Sequence, residues 1–95
     1  MPAYVIADIT VTNPERYNEY AKKTPATIEK FGGKFVVRGG EITVIAGDWR
    51  PQRLVIIEFP NMATLKKWYQ SKEYQKICRI REEASTGSFV FVDGA

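Results

Sequence analysis

Ninety-five residues, 44% hydrophobic and 26% charged, match the size and composition of one folded domain, so residues 1–95 read as a single unit. Histidine is absent, which removes the commonest general base near neutral pH and the commonest protein ligand of zinc and haem iron; the lone cysteine, Cys78, excludes an internal disulfide and a four-thiolate metal site. The net charge of +3 gathers in the second half, where Lys66, Lys67, Lys72, Lys76, Arg79 and Arg81 form a group read as the solvated face of a helix and not as a nucleic-acid surface.

From Tyr4 to Val11 the residues alternate, with Tyr4, Ile6, Asp8 and Thr10 on one face and Val5, Ala7, Ile9 and Val11 on the other, the pattern of a strand packed on one side. Asn13-Pro14-Glu15 then supplies a cap, a proline suited to the first helical position and an acid in the first turn. The helix that follows carries an inward stripe of Tyr17, Tyr20, Ala21, Thr24, Ile28 and Phe31, and Pro25 is expected to bend or restart it. Gly32-Gly33 ends the helix and Lys34–Arg38 reads as a second strand. After the Gly39-Gly40 turn, Glu41–Ile45 is expected to pair back as a short strand before a loop over Ala46–Gln52.

Arg53–Phe59 is apolar on both faces except for Glu58 and so reads as a central strand covered above and below. Asn61 caps a helix that carries Met62, Leu65, Trp68 and Tyr69, and Ser71 looks like a second cap that restarts it through Tyr74, Ile77, Cys78 and Arg81. Gly87 opens a last strand, Ser88–Val92. The order β-α-β-β-α-β defines an α+β fold, a ferredoxin-like sandwich with both helices on one face. Two-sided apolar strands then need a cover for the other face. The aliphatic Val55, Ile57, Val90 and Val92 favour a second copy of the sheet, and hence a homodimer.

Several spaced segments together resemble the family known as domain of unknown function 1330: Tyr4–Ile9, Gly32-Gly33-Lys34-Phe35 with Arg38-Gly39-Gly40, Gly47-Asp48-Trp49 with Pro51 and Arg53, Ile57–Pro60, and Trp68-Tyr69 with Ser71 and Glu73-Tyr74. The resemblance spans almost the whole chain and implies a dimeric α+β barrel, in which two ferredoxin-like sheets meet face to face. It implies little about activity. Related branches include cofactor-free monooxygenases, haem-degrading enzymes and proteins that bind or cyclise aromatic molecules, and the missing histidine argues against the haem-degrading branch.

The residues themselves offer Asp8 and Glu58 as candidate catalytic carboxylates, each with the alternative of a structural ion pair to Arg38 or Arg81. Arg38, Tyr17, Trp68, Ser71 and Tyr74 are the candidate ligand-binding residues: a planar cation beside a Gly-Gly turn, large aromatics on helical faces and a helix restart. Arg38, Trp68, Ser71 and Tyr74 are expected to meet at the edge between sheet and helices. The Asp48–Pro51 loop reads as a dimer-interface arm, with a pocket rim as the alternative. Phe89-Val90-Phe91 is superficially similar to RNA-recognition strands but lacks their glycine pattern.

The expectation is a cytoplasmic homodimer, with neither membrane nor nucleic-acid partner and with no cofactor or metal. Its pocket takes a small anionic or aromatic metabolite, with scope for cofactor-free catalysis. The alternative is a structural or interaction module without activity.

Overall fold

The computed structural model describes residues 1–95. Its elements run β1 (Ala3–Val11), α1 (Pro14–Lys30), β2 (Lys34–Arg38), β3 (Arg53–Phe59), α2 (Met62–Gln70), α3 (Lys72–Ala84) and β4 (Ser85–Asp93). The strands form one antiparallel sheet ordered β2-β3-β1-β4, so β3 and β1 are central and β2 and β4 are edges. The helices pack on one face, which makes a ferredoxin-like α+β sandwich. No helix is long and apolar enough to cross a membrane.

Local chemistry sets the helix ends. Asn13 accepts a hydrogen bond from the Arg16 N–H at 3.2 Å, with Pro14 in the first turn. Pro25 stays inside a single helix instead of restarting it, but it has no N–H to give to the Ala21 carbonyl four residues back. That carbonyl accepts instead from Arg38 Nη2 at 3.3 Å. Ser71 separates α2 from α3, donating to the Trp68 carbonyl at 2.7 Å and accepting from the Tyr74 N–H at 3.2 Å.

Ala3, Val5, Ala7 and Ile9 of β1 and Val55, Ile57 and Phe59 of β3 are buried beneath the helices. Trp68, Tyr74, Leu65 and Ile28 come down to meet them. Trp68 lies 5.1 Å from Phe59 and 4.2 Å from Tyr74 between ring centroids, and its indole N–H donates to Thr27 Oγ1 at 3.0 Å. The buried polar end of the tryptophan is thereby satisfied.

Three expectations change. Val55 and Ile57 face the helices, so the open side of β3 is Leu54, Ile56 and Glu58. Residues 41–45 form no strand, because β2 and β3 pair directly and leave this segment no partner; Ile45 stays 88% exposed. The last strand begins at Ser85, three residues earlier, and Gly87 lies within it at φ +140°, where a side chain would strike the Asp8 carbonyl.

A β-bulge between Phe35 and Val37 decides which way Arg38 points. Phe35 stands opposite Ile57 on the covered face, yet Arg38, three residues on, stands opposite Val55 on the same face. Strict alternation would put residues three apart on opposite faces. The extra residue reverses the parity and turns Arg38 inward.

Candidate functional site

Between α1, α3 and the covered face of the sheet lies a narrow cleft, open to solvent at its mouth and with about 30 Å³ of free space inside. Its floor is Ala7, Ile9, Val55 and Ile57, its aromatic walls are Tyr17, Tyr20, Phe35 and Phe89, and three arginines, Arg38, Arg53 and Arg81, point into it. The aromatic rings define flat surfaces on either side.

Each guanidinium is steadied by an aromatic ring. The Arg38 Cζ lies 4.4 Å from the Phe35 centroid, Arg53 Cζ 5.8 Å from Tyr17 and Arg81 Cζ 4.2 Å from Phe89. Cation–π contact fixes the plane of the fork while leaving its N–H edges for other partners. None of the three belongs to an ion pair; the salt bridges involve Arg16, Lys30 and Lys34. The Nε atoms of Arg53 and Arg81 are buried without a hydrogen-bond partner. Gly39, at φ +68°, carries no side chain that would collide with the Arg53 guanidinium.

Arg81 Nη2 donates to Tyr69 Oη and Cys78 Sγ, each at 3.3 Å. Burial works against its charge, but at alkaline pH the ionising Tyr74, Cys78 and Tyr20 groups outweigh it, so the guanidinium keeps its proton throughout. On the cleft wall, Tyr20 shares a 2.8 Å hydrogen bond with Tyr74, its hydroxyl partner behind. Burial pushes the Tyr20 phenol up to about 12 and raises Tyr74 further, so both remain protonated across the physiological range. No group of three or more acidic or thiol side chains is placed to hold a metal ion.

Of the ligand-binding residues expected from the sequence, Arg38 and Tyr17 line the cleft. Trp68 and Tyr74 do not meet them there: both are fully buried, because their rings complete the core under α2 and α3. Ser71 is occupied as the cap of α3. Asp8 and Glu58 lie across the sheet from the cleft, since both take the opposite parity to the buried residues of their strands. Neither pairs with Arg38 or Arg81. Asp8 accepts from Trp49 Nε1 at 2.9 Å and from the Gln52 N–H at 3.2 Å, while Glu58 accepts from Tyr4 Oη at 3.0 Å and lies 3.5 Å from Lys34 Nζ.

Two cleft cations escaped the sequence reading as ligand groups: Arg53 and Arg81. The signal for Arg53 was present, since it shares parity with Val55, Ile57 and Phe59. Arg81 was grouped by charge with exposed lysines although its place after Tyr74, Ile77 and Cys78 already put it on their inward stripe.

The fold and this cleft define a ferredoxin-like α+β protein with a cationic, apolar-walled site between its layers. The chain belongs to the DUF1330 family, described as a domain of unknown function, whose model matches residues 2–95. No curated protein matches it. Among solved structures it is similar to a protein of unknown function from Rhodopseudomonas palustris, with a TM-score of 0.78 at 18% identity over 99% of this chain and 82% of that one. It is also similar to SnoaB, a cofactor-independent oxygenase from Streptomyces nogalater, with a TM-score of 0.68 at 14% identity over 99% and 93%. A dimeric ferredoxin-like protein of unknown function from Bacteroides fragilis matches with a TM-score of 0.58 at 14% identity over 98% and 95%. At these identities the likeness is one of fold.

Proposed function

We propose that the chain is a cytoplasmic homodimer that binds a small anionic metabolite with a flat apolar body, one per subunit, in the cleft between helices and sheet. The observation that carries the binding reading is the set of three arginines, each stacked on an aromatic ring and none paired with a carboxylate, around an apolar floor. Cations held this way in a partly dry site favour an anionic partner that takes the place of water.

Dimerisation through the open face is supported by its layout. Ile6, Leu54, Ile56, Val90 and Val92 form an apolar centre, with Tyr4, Glu58 and Lys34 at one end and Asp8, Ser88 and Trp49 at the other. An apolar centre with a polar rim is the anatomy of a protein interface. Asp8 and Glu58 serve that rim under this reading. Within the cleft, the phenols of Tyr17 and Tyr20 are the neutral hydroxyls that can serve a bound oxyanion, and the raised pKa of Tyr20 suits a hydrogen-bond donor better than a base.

A thermal-shift screen of aromatic and aliphatic acids tests the reading. A ligand at 100 times its Kd adds about 2.7 kcal/mol and raises Tm by several degrees, and Arg38→Ala reduces that rise. A screen in which no acid stabilises the protein overturns it. The same null result favours the alternative of an interaction module, to which the complete pairing of Asp8 and Glu58 on the interface side already points.

A further inference from the structure

The positions of the arginines along the sheet carry more than the sign of the ligand's charge. Arg38 and its ring Phe35 belong to β2 at one edge, while Arg81 stacks on Phe89 of β4 at the other. Two central strands lie between, so the outer strands are three inter-strand spacings, about 14 Å, apart. Arg53, on β3, stands with Arg38 on the β2 side, as the tight approach of its guanidinium to Gly39 shows. The floor between the two sides is wholly apolar.

The cleft is therefore cationic at two ends and apolar in the middle. On the β2 side, Arg38 spends one N–H on the carbonyl left free by Pro25, and the Arg53 Nε is buried without a partner. On the β4 side, Arg81 is anchored by Tyr69 and Cys78 through Nη2, and its Nε is buried without a partner. A buried, charged donor without an acceptor is costly to the fold and is retained at both ends. A monoanion answers one end only.

Resting on the cleft-binding reading above, we infer that the ligand class is the flat diacid: two carboxylate or equivalent anionic groups at opposite ends of a planar, apolar body. One group pairs with Arg38 and Arg53 and the other with Arg81. Tyr17, Tyr20, Phe35 and Phe89 flank the body between them.

Isothermal titration with terephthalate, phthalate, benzoate and dimethyl terephthalate tests this on the intact protein. Terephthalate, with its charges at opposite ends, is expected to bind at least about tenfold more tightly than benzoate, the effect of one additional charge-assisted pair. Phthalate, with both charges at one end, gains no such factor. Arg81→Gln brings the affinity for terephthalate down to the level of benzoate in the same variant, and Arg81→Lys, which retains the charge and guards against a folding defect, restores part of the preference. Equal affinities for terephthalate and benzoate, or a preference that survives in Arg81→Gln, overturn the two-ended site while leaving the general cleft-binding reading standing. Binding of none of the four, together with a blank acid screen, overturns both; preferential binding of the neutral diester overturns the anionic character itself.

Discussion

The two faces of the sheet are built from the same four strands and differ in how their polar groups are treated. On the open face every acid has a partner: Asp8 holds Trp49 and the Gln52 backbone, and Glu58 holds Tyr4 beside Lys34. On the covered face three cations line an apolar cleft with no acid beside them. Satisfied polar groups around an aliphatic centre suit a surface that must be specific for another surface, whereas unpaired donors behind aromatic walls suit a site that awaits an anion. Carboxylates that looked catalytic along the chain thus belong to the side without the cleft.

The largest expected effect tests which face carries stability. Trp68→Ala removes a fully buried ring and leaves Thr27 without its donor, so urea unfolding is expected to lose about 3–5 kcal/mol. A loss under 1 kcal/mol would show that the core does not rest on this residue. Next comes the open face: Ile56→Asp places a carboxylate in the apolar centre on both copies. Association is expected to weaken at least about 100-fold, with the helical circular dichroism retained, because each buried charge costs several kcal/mol. Light scattering that still reports a full dimer at low micromolar protein would contradict an interface on this face.

A smaller effect separates the tyrosines behind the cleft from those in water. Tyr20 titrates near 12 in the folded state, above the ordinary value of 10.0, so the folded form keeps a proton that the unfolded chain gives up. Its contribution is complete below pH 10 and is lost as pH rises towards 12. The decline amounts to about 2–3 kcal/mol. Alkaline difference absorbance should show Tyr20 and Tyr74 ionising last; substitution Tyr20→Phe should flatten the decline, and an unchanged curve would assign it elsewhere. The smallest effect is that of Ser71→Ala, about 1 kcal/mol from the lost cap of α3, read by thermal unfolding with the cleft's ligand affinity unchanged. A large change in affinity would restore Ser71 to the site.

Much of the architecture was legible because it follows from short-range rules. The alternation of β1, the Asn13, Asn61 and Ser71 caps and the Gly32-Gly33 stop are local, and each element stands where they place it. The site was legible only in part. Tyr17 could be assigned to a buried helical stripe, but whether a buried aromatic seals the core or faces a cleft depends on what packs above it, which is how Trp68 and Tyr74 came to be candidates. Arg81 was read both with the surface cations and as an ion-pair partner for Asp8 or Glu58, because charge composition carries no direction.

The sequence by itself determined the order of the elements that form, though it also offered a strand over 41–45 that does not, together with the α+β class and the two-sided apolar character of β3, since periodicity and capping act within a few residues. Only the tertiary structure decided which face each residue serves. A single bulged residue in β2 reverses the parity of everything after it, and through that reversal Arg38 reaches both the Ala21 carbonyl freed by Pro25 and the cleft. Pairing register is a property of two strands together, so neither strand alone could state it.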